Sequence, residues 1–66
     1  MVINKVRALR FAASEMTQGE LAAAIGMTRQ TVAAIEQGKY SPSLDAAFRI
    51  AKALGVRLDE AFGWED

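Results

Sequence analysis

The chain has 66 residues, of which 52% are hydrophobic and 24% are charged, with one proline and five glycines. A chain of this size forms one small domain, and its composition is typical of a globular, helix-rich protein. It contains no cysteine and no histidine, which excludes disulfides, the common zinc sites and nucleophiles that depend on histidine. No apolar run approaches the roughly 18 residues of a membrane span, so we expect a cytoplasmic protein. We also expect no metal and no cofactor.

The charges are distributed unevenly, although the net charge is zero. Residues 1–41 hold five Lys and Arg against three Glu, whereas residues 42–66 hold three basic against five acidic residues. A neutral total argues against tight non-specific binding to a polyanion. It does not exclude a nucleic-acid partner if one face collects the basic groups.

Apolar spacing and end signals predict the first two helices. Val6 and Leu9 recur at helical spacing, so a first helix is expected from about Asn4 to Ala13. The segment 17–20 has the pattern of a capping box, in which the first hydroxyl accepts a hydrogen bond from the last amide. A second, short helix therefore follows, and Gly26 ends it because glycine adopts the left-handed cap conformation without penalty.

Three further helices are predicted in the rest of the chain. Thr28 caps a third helix, which ends at Gly38. Ser43 caps a fourth helix, whose inward residues are expected to be Leu44, Ala47, Ile50, Ala51 and Leu54. A fifth helix of one turn is expected at Leu58, Ala61 and Phe62. Five short helices around one core make an all-α domain the simplest architecture.

The segment Gln18–Gln37 has the features of a helix-turn-helix. Small Ala22 lets the two helices cross closely, Gly26 supplies the turn, and Val32 packs at the joint. The start of the second of these helices carries Arg29 and Gln30, which can bond guanine and adenine, respectively, in a bidentate way. On spacing alone, DNA reading and a plain solvent-facing helix start fit these residues about equally.

Several segments together resemble the Cro/CI-type (XRE family) repressor domain, namely 17–22, 25–32, 35–39, 42–44 and 50–54. The resemblance covers almost the whole chain, and the ending Phe62–Trp64 is similar to the compact, cytolysin-repressor-like subgroup. It implies a single five-helix, lambda-repressor-like DNA-binding domain over residues 1–66. It also implies a helix-turn-helix at about residues 18–37 and a small two-stranded ribbon made by the two chain ends.

The resemblance further implies a homodimeric transcription repressor that occludes a promoter by binding a palindromic operator in double-stranded DNA. Two recognition helices would then enter successive major grooves. The implied DNA contacts are Gln18, Thr28, Arg29, Gln30, Thr31, Ala34, Lys39, Tyr40 and Ser41. Ala34 can offer only its methyl group, and Tyr40 could pack at a dimer seam instead.

The resemblance also implies two structural features outside the reading helix. A structural ion pair is expected between Arg10 and Glu36. The dimer interface is expected at Leu58, Ala61 and Trp64, while Phe62 is expected inside the domain. An exposed aromatic cluster in so small a domain is typical of an interface.

Two other classes of function are considered beside a repressor. An antitoxin-like protein, whose main partner is another protein and whose DNA binding is autoregulatory, fits the same residues. An enzyme is disfavoured, because only acidic groups remain for acid–base chemistry and Gly38–Lys39 lacks the upstream glycine of a P-loop. Because no effector pocket is evident, release from DNA would require another protein, an anti-repressor.

Overall fold

The computed structural model of the protein describes all 66 residues. The chain forms, in order, β1 (Val2–Asn4), α1 (Val6–Ala12), α2 (Gln18–Ile25), α3 (Arg29–Glu36), α4 (Leu44–Leu54), α5 (Leu58–Ala61) and β2 (Phe62–Trp64). Strands β1 and β2 pair in antiparallel fashion, with Val2 opposite Trp64. Five helices with a ribbon made by the chain ends confirm the predicted architecture. The longest helix, α4, has 11 residues, and none of the helices has the length and apolarity to cross a membrane.

Hydroxyl side chains cap three of the helices as their sequence patterns predicted. Thr17 accepts a hydrogen bond from the amide of Glu20 at 3.0 Å, and Thr28 and Ser43 make the equivalent bonds at α3 and α4. Such a bond satisfies one of the amides that lack a partner at a helix start. The starts of α2, α3 and α4 are therefore determined by local sequence.

The core lies between the helix pair α2–α3 and helices α1 and α4. Its members are apolar residues that are buried in the domain: Val6, Leu21, Ala22, Ile25, Val32, Ile35, Ile50 and Leu54. Helix α3 contributes Val32 and Ile35, each 1% exposed. Since these two side chains anchor one face of α3, its opposite face is turned away from the core.

Two predictions at helix starts need correction. Helix α1 begins at Val6 rather than at about Asn4, because Asn4 is the last residue of β1. The amide side chain of Asn4 accepts a hydrogen bond from the amide of Val6 and donates one to the carbonyl of Ile35 at 2.9 Å. Leu44 was expected to point inward, but its side chain is 68% exposed at the first turn of α4.

The end of the chain also differs from the prediction. Ala61 is 0% exposed, and its carbonyl accepts a hydrogen bond from the amide of Lys5 at 2.9 Å. Ala61 therefore packs inside the domain and, contrary to the prediction, has no exposed surface that a second copy could contact. Phe62 was expected in the fifth helix, but it is the first residue of β2. Its side chain is partly buried against the core, as expected, while Trp64 is 69% exposed.

Candidate nucleic-acid interface

The turn between α2 and α3 brings the two helices into close contact. Gly26 ends α2 with a φ of +71°, a left-handed conformation that glycine adopts without steric cost. The next amide, that of Met27, donates to the carbonyl of Ala22 at 2.9 Å. Ala22 is only 3% exposed, so its small side chain allows α3 to cross over α2. These contacts form the predicted helix-turn-helix.

The start of α3 presents polar side chains on its outer surface. Arg29 and Gln30 are exposed, and Arg29 takes part in none of the protein's three ion pairs. The Thr28 and Thr31 hydroxyls lie 3.0 Å apart and bond each other. Arg29 and Gln30 are therefore available to an external partner. The hydroxyls of Thr28 and Thr31 already have one hydrogen-bond partner within the protein, namely each other.

A buried ion pair attaches the far end of α3 to α1. The guanidinium of Arg10 donates to both carboxylate oxygens of Glu36, at 2.7 and 3.1 Å, and the two side chains are 8% and 5% exposed. Arg10 also donates to the carbonyl of Met16 at 2.8 Å. A bidentate pair has a fixed geometry, so it sets the position of α3 relative to α1, as the prediction of a structural pair required.

Gln18 joins this network from the first residue of α2. Its side-chain amide donates to Oε1 of Glu36 at 3.1 Å. Burial pushes the pKa of Glu36 upward, but hydrogen bonds from Arg10 and Gln18 and the nearby positive charges outweigh it, so this pKa lies below its ordinary value. Glu36 is thus a carboxylate that ties three helices together. Gln18 has the bracing position that was expected of it; its contact with a phosphate remains a prediction.

The loop after α3 differs in one respect from the expected phosphate clamp. Lys39, Tyr40 and Ser41 are exposed, in keeping with a contact surface. The amide of Lys39, however, donates to the carbonyl of Ala34 at 2.9 Å, as part of the end of α3. The predicted phosphate contact of Lys39 would therefore use the side-chain ammonium rather than the backbone amide.

A shallow depression brings together five of the residues that were expected to contact DNA. Thr28, Gln30, Thr31, Ala34 and Tyr40 line it, with Met27 as the sixth member. Tyr40 therefore lies beside α3 and is not among the residues that line the apolar groove near the chain ends. Sequence reasoning missed Met27, because a residue in the turn follows neither helical spacing nor a capping pattern.

Comparisons with known proteins agree with this geometry. The sequence profile of the family described as Helix-turn-helix matches residues 6–60. A protein of Methanocaldococcus jannaschii, named as an uncharacterized HTH-type transcriptional regulator, is 49% identical over 96% of this chain and 94% of its own. The control protein C.BamHI of Bacillus amyloliquefaciens is 42% identical over 82% of this chain and 67% of its own.

A solved structure has the same fold. The crystal structure of a Bacteroides fragilis protein, provisionally described as DNA-binding, superimposes with a TM-score of 0.83 at 25% identity, over 96% of this chain and 100% of that one. The family match spans most of the chain and includes the helix pair α2–α3, the capped start of α3 and the buried network behind it. The chain therefore belongs to the helix-turn-helix (XRE) family of DNA-binding transcriptional regulators.

Proposed function

We propose that the protein is a sequence-specific repressor that acts as a homodimer and places two α3 helices in successive major grooves of a palindromic operator. The observation that carries this proposal is the exposed start of α3, where Arg29 and Gln30 are located. The opposite face of this helix packs against the core, and Glu36 at its end pairs with Arg10. Arg pairs with guanine O6 and N7, and Gln pairs with adenine N6 and N7. The names of the relatives, transcriptional regulators and control proteins, favour this function over an antitoxin-like one.

Contacts with the DNA backbone would position the reading helix. Lys39 supplies an ammonium group, Ser41 a hydroxyl, and the starts of α2 and α3 supply amides and partial positive charge at Gln18 and Thr28. These contacts carry no sequence information, but they set the register of α3 on the duplex.

Dimerisation follows from the small number of such contacts. The net charge of the protein is zero, so one copy collects too few phosphate contacts for a specific affinity of roughly 10⁻⁸ M or tighter. Two copies double the contacts and fix a half-site spacing of about 34 Å. The repressor mechanism would be occlusion of the promoter by this complex.

An apolar groove near the chain ends is the surface that best fits the second copy. It has a volume of about 660 Å³, and its lining includes Leu44, Leu58 and Trp64. The Leu44 and Trp64 side chains are 68% and 69% exposed, and large apolar groups with such exposure are typical of interfaces. The groove also contains Arg57 and Asp59, but these two charges pair with each other at 2.8 Å within one copy, so only its exposed apolar residues favour a second copy here.

Selection of binding sites from a random duplex library, followed by footprinting, tests the proposal. We expect one enriched palindromic site, and Arg29→Ala should weaken binding to it by about 1–3 kcal/mol and relax the preference at one position of each half-site. Arg49→Ala is the matched control, since Arg49 is an exposed arginine on α4 whose only ion pair is with Asp45 on the same helix. Transcription from a promoter that overlaps the site should fall when the protein is added.

Three results would contradict the proposal. The first is the absence of any enriched sequence. The second is an Arg29→Ala variant that is folded yet keeps the affinity and base preference of the wild type. The third is a protein that occupies its site without lowering transcription, which would remove the repressor role while leaving DNA binding intact.

A further inference from the structure

A basic depression lies between the start of α1 and the end of α3. Its lining consists of Asn4, Lys5, Arg7, Ala8, Phe11 and Glu36. Lys5 and Arg7 are exposed and take part in none of the protein's three ion pairs. The carboxylate of Glu36, in contrast, is already paired with Arg10 at 2.7 Å. The basic depression therefore presents uncompensated positive charge, which attracts an anion.

Arg7 is the main cation of the basic depression. Lys5 also lines a cleft beside Asp59 and Glu60, whose carboxylates offset part of its charge. Arg7 lies close enough to Glu36 for its positive charge to help lower the pKa of that carboxyl. A guanidinium donates paired hydrogen bonds to a phosphate, so Arg7 is the group best suited to bind one.

The ring of Phe11 holds Arg7 at the basic depression. The guanidinium carbon of Arg7 lies 5.8 Å from the ring centroid and that of Arg10 lies 5.0 Å from it, distances at which a cation is attracted to the ring face. Arg10 is itself fixed by its bonds to Glu36 and Met16. Phe11 is 51% exposed and is not among the residues that pack against the core. Because Arg7 is held before a ligand arrives, less entropy is lost when it binds one.

The basic depression adjoins the candidate nucleic-acid interface. Glu36, which lines it, accepts a hydrogen bond from Gln18 at 3.1 Å, and Gln18 is the first residue of α2, where a contact with the DNA backbone is already proposed. This continuity favours a DNA phosphate over the carboxylates of an acidic protein segment.

We propose that the basic depression binds a phosphate group of the DNA backbone, with Arg7 as the contacting residue and Phe11 as the residue that positions it. Helix α1 thereby joins α2, α3 and the loop after α3 as an element that contacts DNA. This inference rests on the proposed function, because the phosphate belongs to the same operator.

The experiment uses the whole protein and the DNA site obtained by selection. Each phosphate of the site and of its flanks is replaced singly by methylphosphonate, which removes the negative charge and keeps the chain intact. At one phosphate in each half-site, this change should weaken binding of the wild type about tenfold, as expected for the loss of a charged hydrogen bond. The same change should weaken binding of Arg7→Gln by less than about twofold, because the guanidinium that contacts this phosphate is absent.

Variants of Phe11 test its positioning role. Phe11→Leu keeps both guanidinium groups and is compatible with a helix, and it should reduce the effect at this phosphate by about threefold, the value of one exposed cation–π contact. Phe11→Tyr retains an aromatic ring and should retain the full effect. A merely structural role of Phe11 would change the stability of the protein but leave the effect at this phosphate unchanged.

Lys52→Gln is the matched control for Arg7→Gln. Lys52 is an exposed cation on α4 that takes part in no ion pair, and its removal should leave the full effect at this phosphate. Circular dichroism confirms that all the variants are folded.

The proposal is overturned if Arg7→Gln keeps every sensitive phosphate of the wild type, even if its overall affinity is lower. That result would leave an acidic protein segment as the remaining partner for the basic depression. A folded Phe11→Leu variant with the full effect, or a folded Phe11→Tyr variant without it, excludes the positioning role of the ring. Failure of the proposed function gives a different result, since selection then yields no enriched sequence.

Discussion

Replacing Glu36 with alanine removes the acceptor of three hydrogen bonds and leaves the guanidinium of Arg10 without its carboxylate. Arg10 is 6% exposed, so water reaches it poorly. Its remaining protein partners are the carbonyl of Met16 at 2.8 Å and the ring of Phe11, whose centroid lies 5.0 Å from the guanidinium carbon. The side-chain amide of Gln18 also loses its bond to Glu36. The substitution therefore creates a buried charge that is only partly compensated.

The size of the effect follows from the burial of this pair. Removing one partner of a buried ion pair costs about 3–5 kcal/mol, and the surviving bond to Met16 places Glu36→Ala near the lower end. At about 0.05–0.15 kcal/mol per residue, the whole domain is stable by only about 3–10 kcal/mol. We therefore expect this one change to remove a third or more of the free energy of unfolding.

Urea unfolding followed by circular dichroism measures this loss. Arg10→Met combined with Glu36→Leu should recover most of the stability, because no charge then remains buried. Arg49→Ala is the control: it breaks an ion pair whose side chains are 60% and 79% exposed, and it should cost less than about 0.5 kcal/mol. A Glu36→Ala loss below about 1 kcal/mol would refute the view that the buried Arg10–Glu36 pair stabilises the fold. The same holds if the losses of the single variants Arg10→Met and Glu36→Leu simply add in the double variant.

Three further predictions concern pH, salt and assembly. Because the pKa of Glu36 is depressed in the folded state, its contribution to stability is fully present above the unfolded pKa of about 4.3 and is lost as pH falls through the lower folded value. Urea midpoints measured down to pH of about 2 should therefore decline less steeply for Glu36→Gln; parallel declines would contradict this. Lys39→Ala should weaken binding to all DNA sequences alike and reduce the slope of log binding constant against log salt concentration by about one unit. Lys52→Ala on α4 is the control and should change neither quantity. A loss confined to one base position would argue against a phosphate contact of Lys39. Leu44→Asp should give a folded monomer with much weaker operator binding, since an acidic residue suits the first turn of α4 but not an apolar seam. Sedimentation decides the last prediction, with Ala12→Asp at an exposed position of α1 as the control; a Leu44→Asp protein that still dimerises would exclude this groove as the interface.

Short-range patterns accounted for the helices and for the helix-turn-helix. Thr17, Thr28 and Ser43 cap helices because a hydroxyl bonds an amide three residues later, an interaction contained within four consecutive residues. Gly26 and Gly55 end α2 and α4 with a φ of +71°, which depends on the residue type itself. The ribbon and the Arg10–Glu36 pair were predicted only through resemblance to a family, because both join residues that are distant along the chain.

The amino-acid sequence by itself thus determined where α2, α3 and α4 start, where α2 and α4 end and which stripe of α3 is apolar, because these properties depend on neighbours within one or two turns. Only the tertiary structure decided which apolar residues are covered. Leu44 is exposed and Ala61 is fully buried, although both follow helical spacing, because burial depends on which distant segment packs against a residue. The depression beside Ala34 also depends on the tertiary structure, because the turn residue Met27 and the loop residue Tyr40 line it together with residues of α3. A local sequence pattern does not predict a contact between segments that only folding brings together.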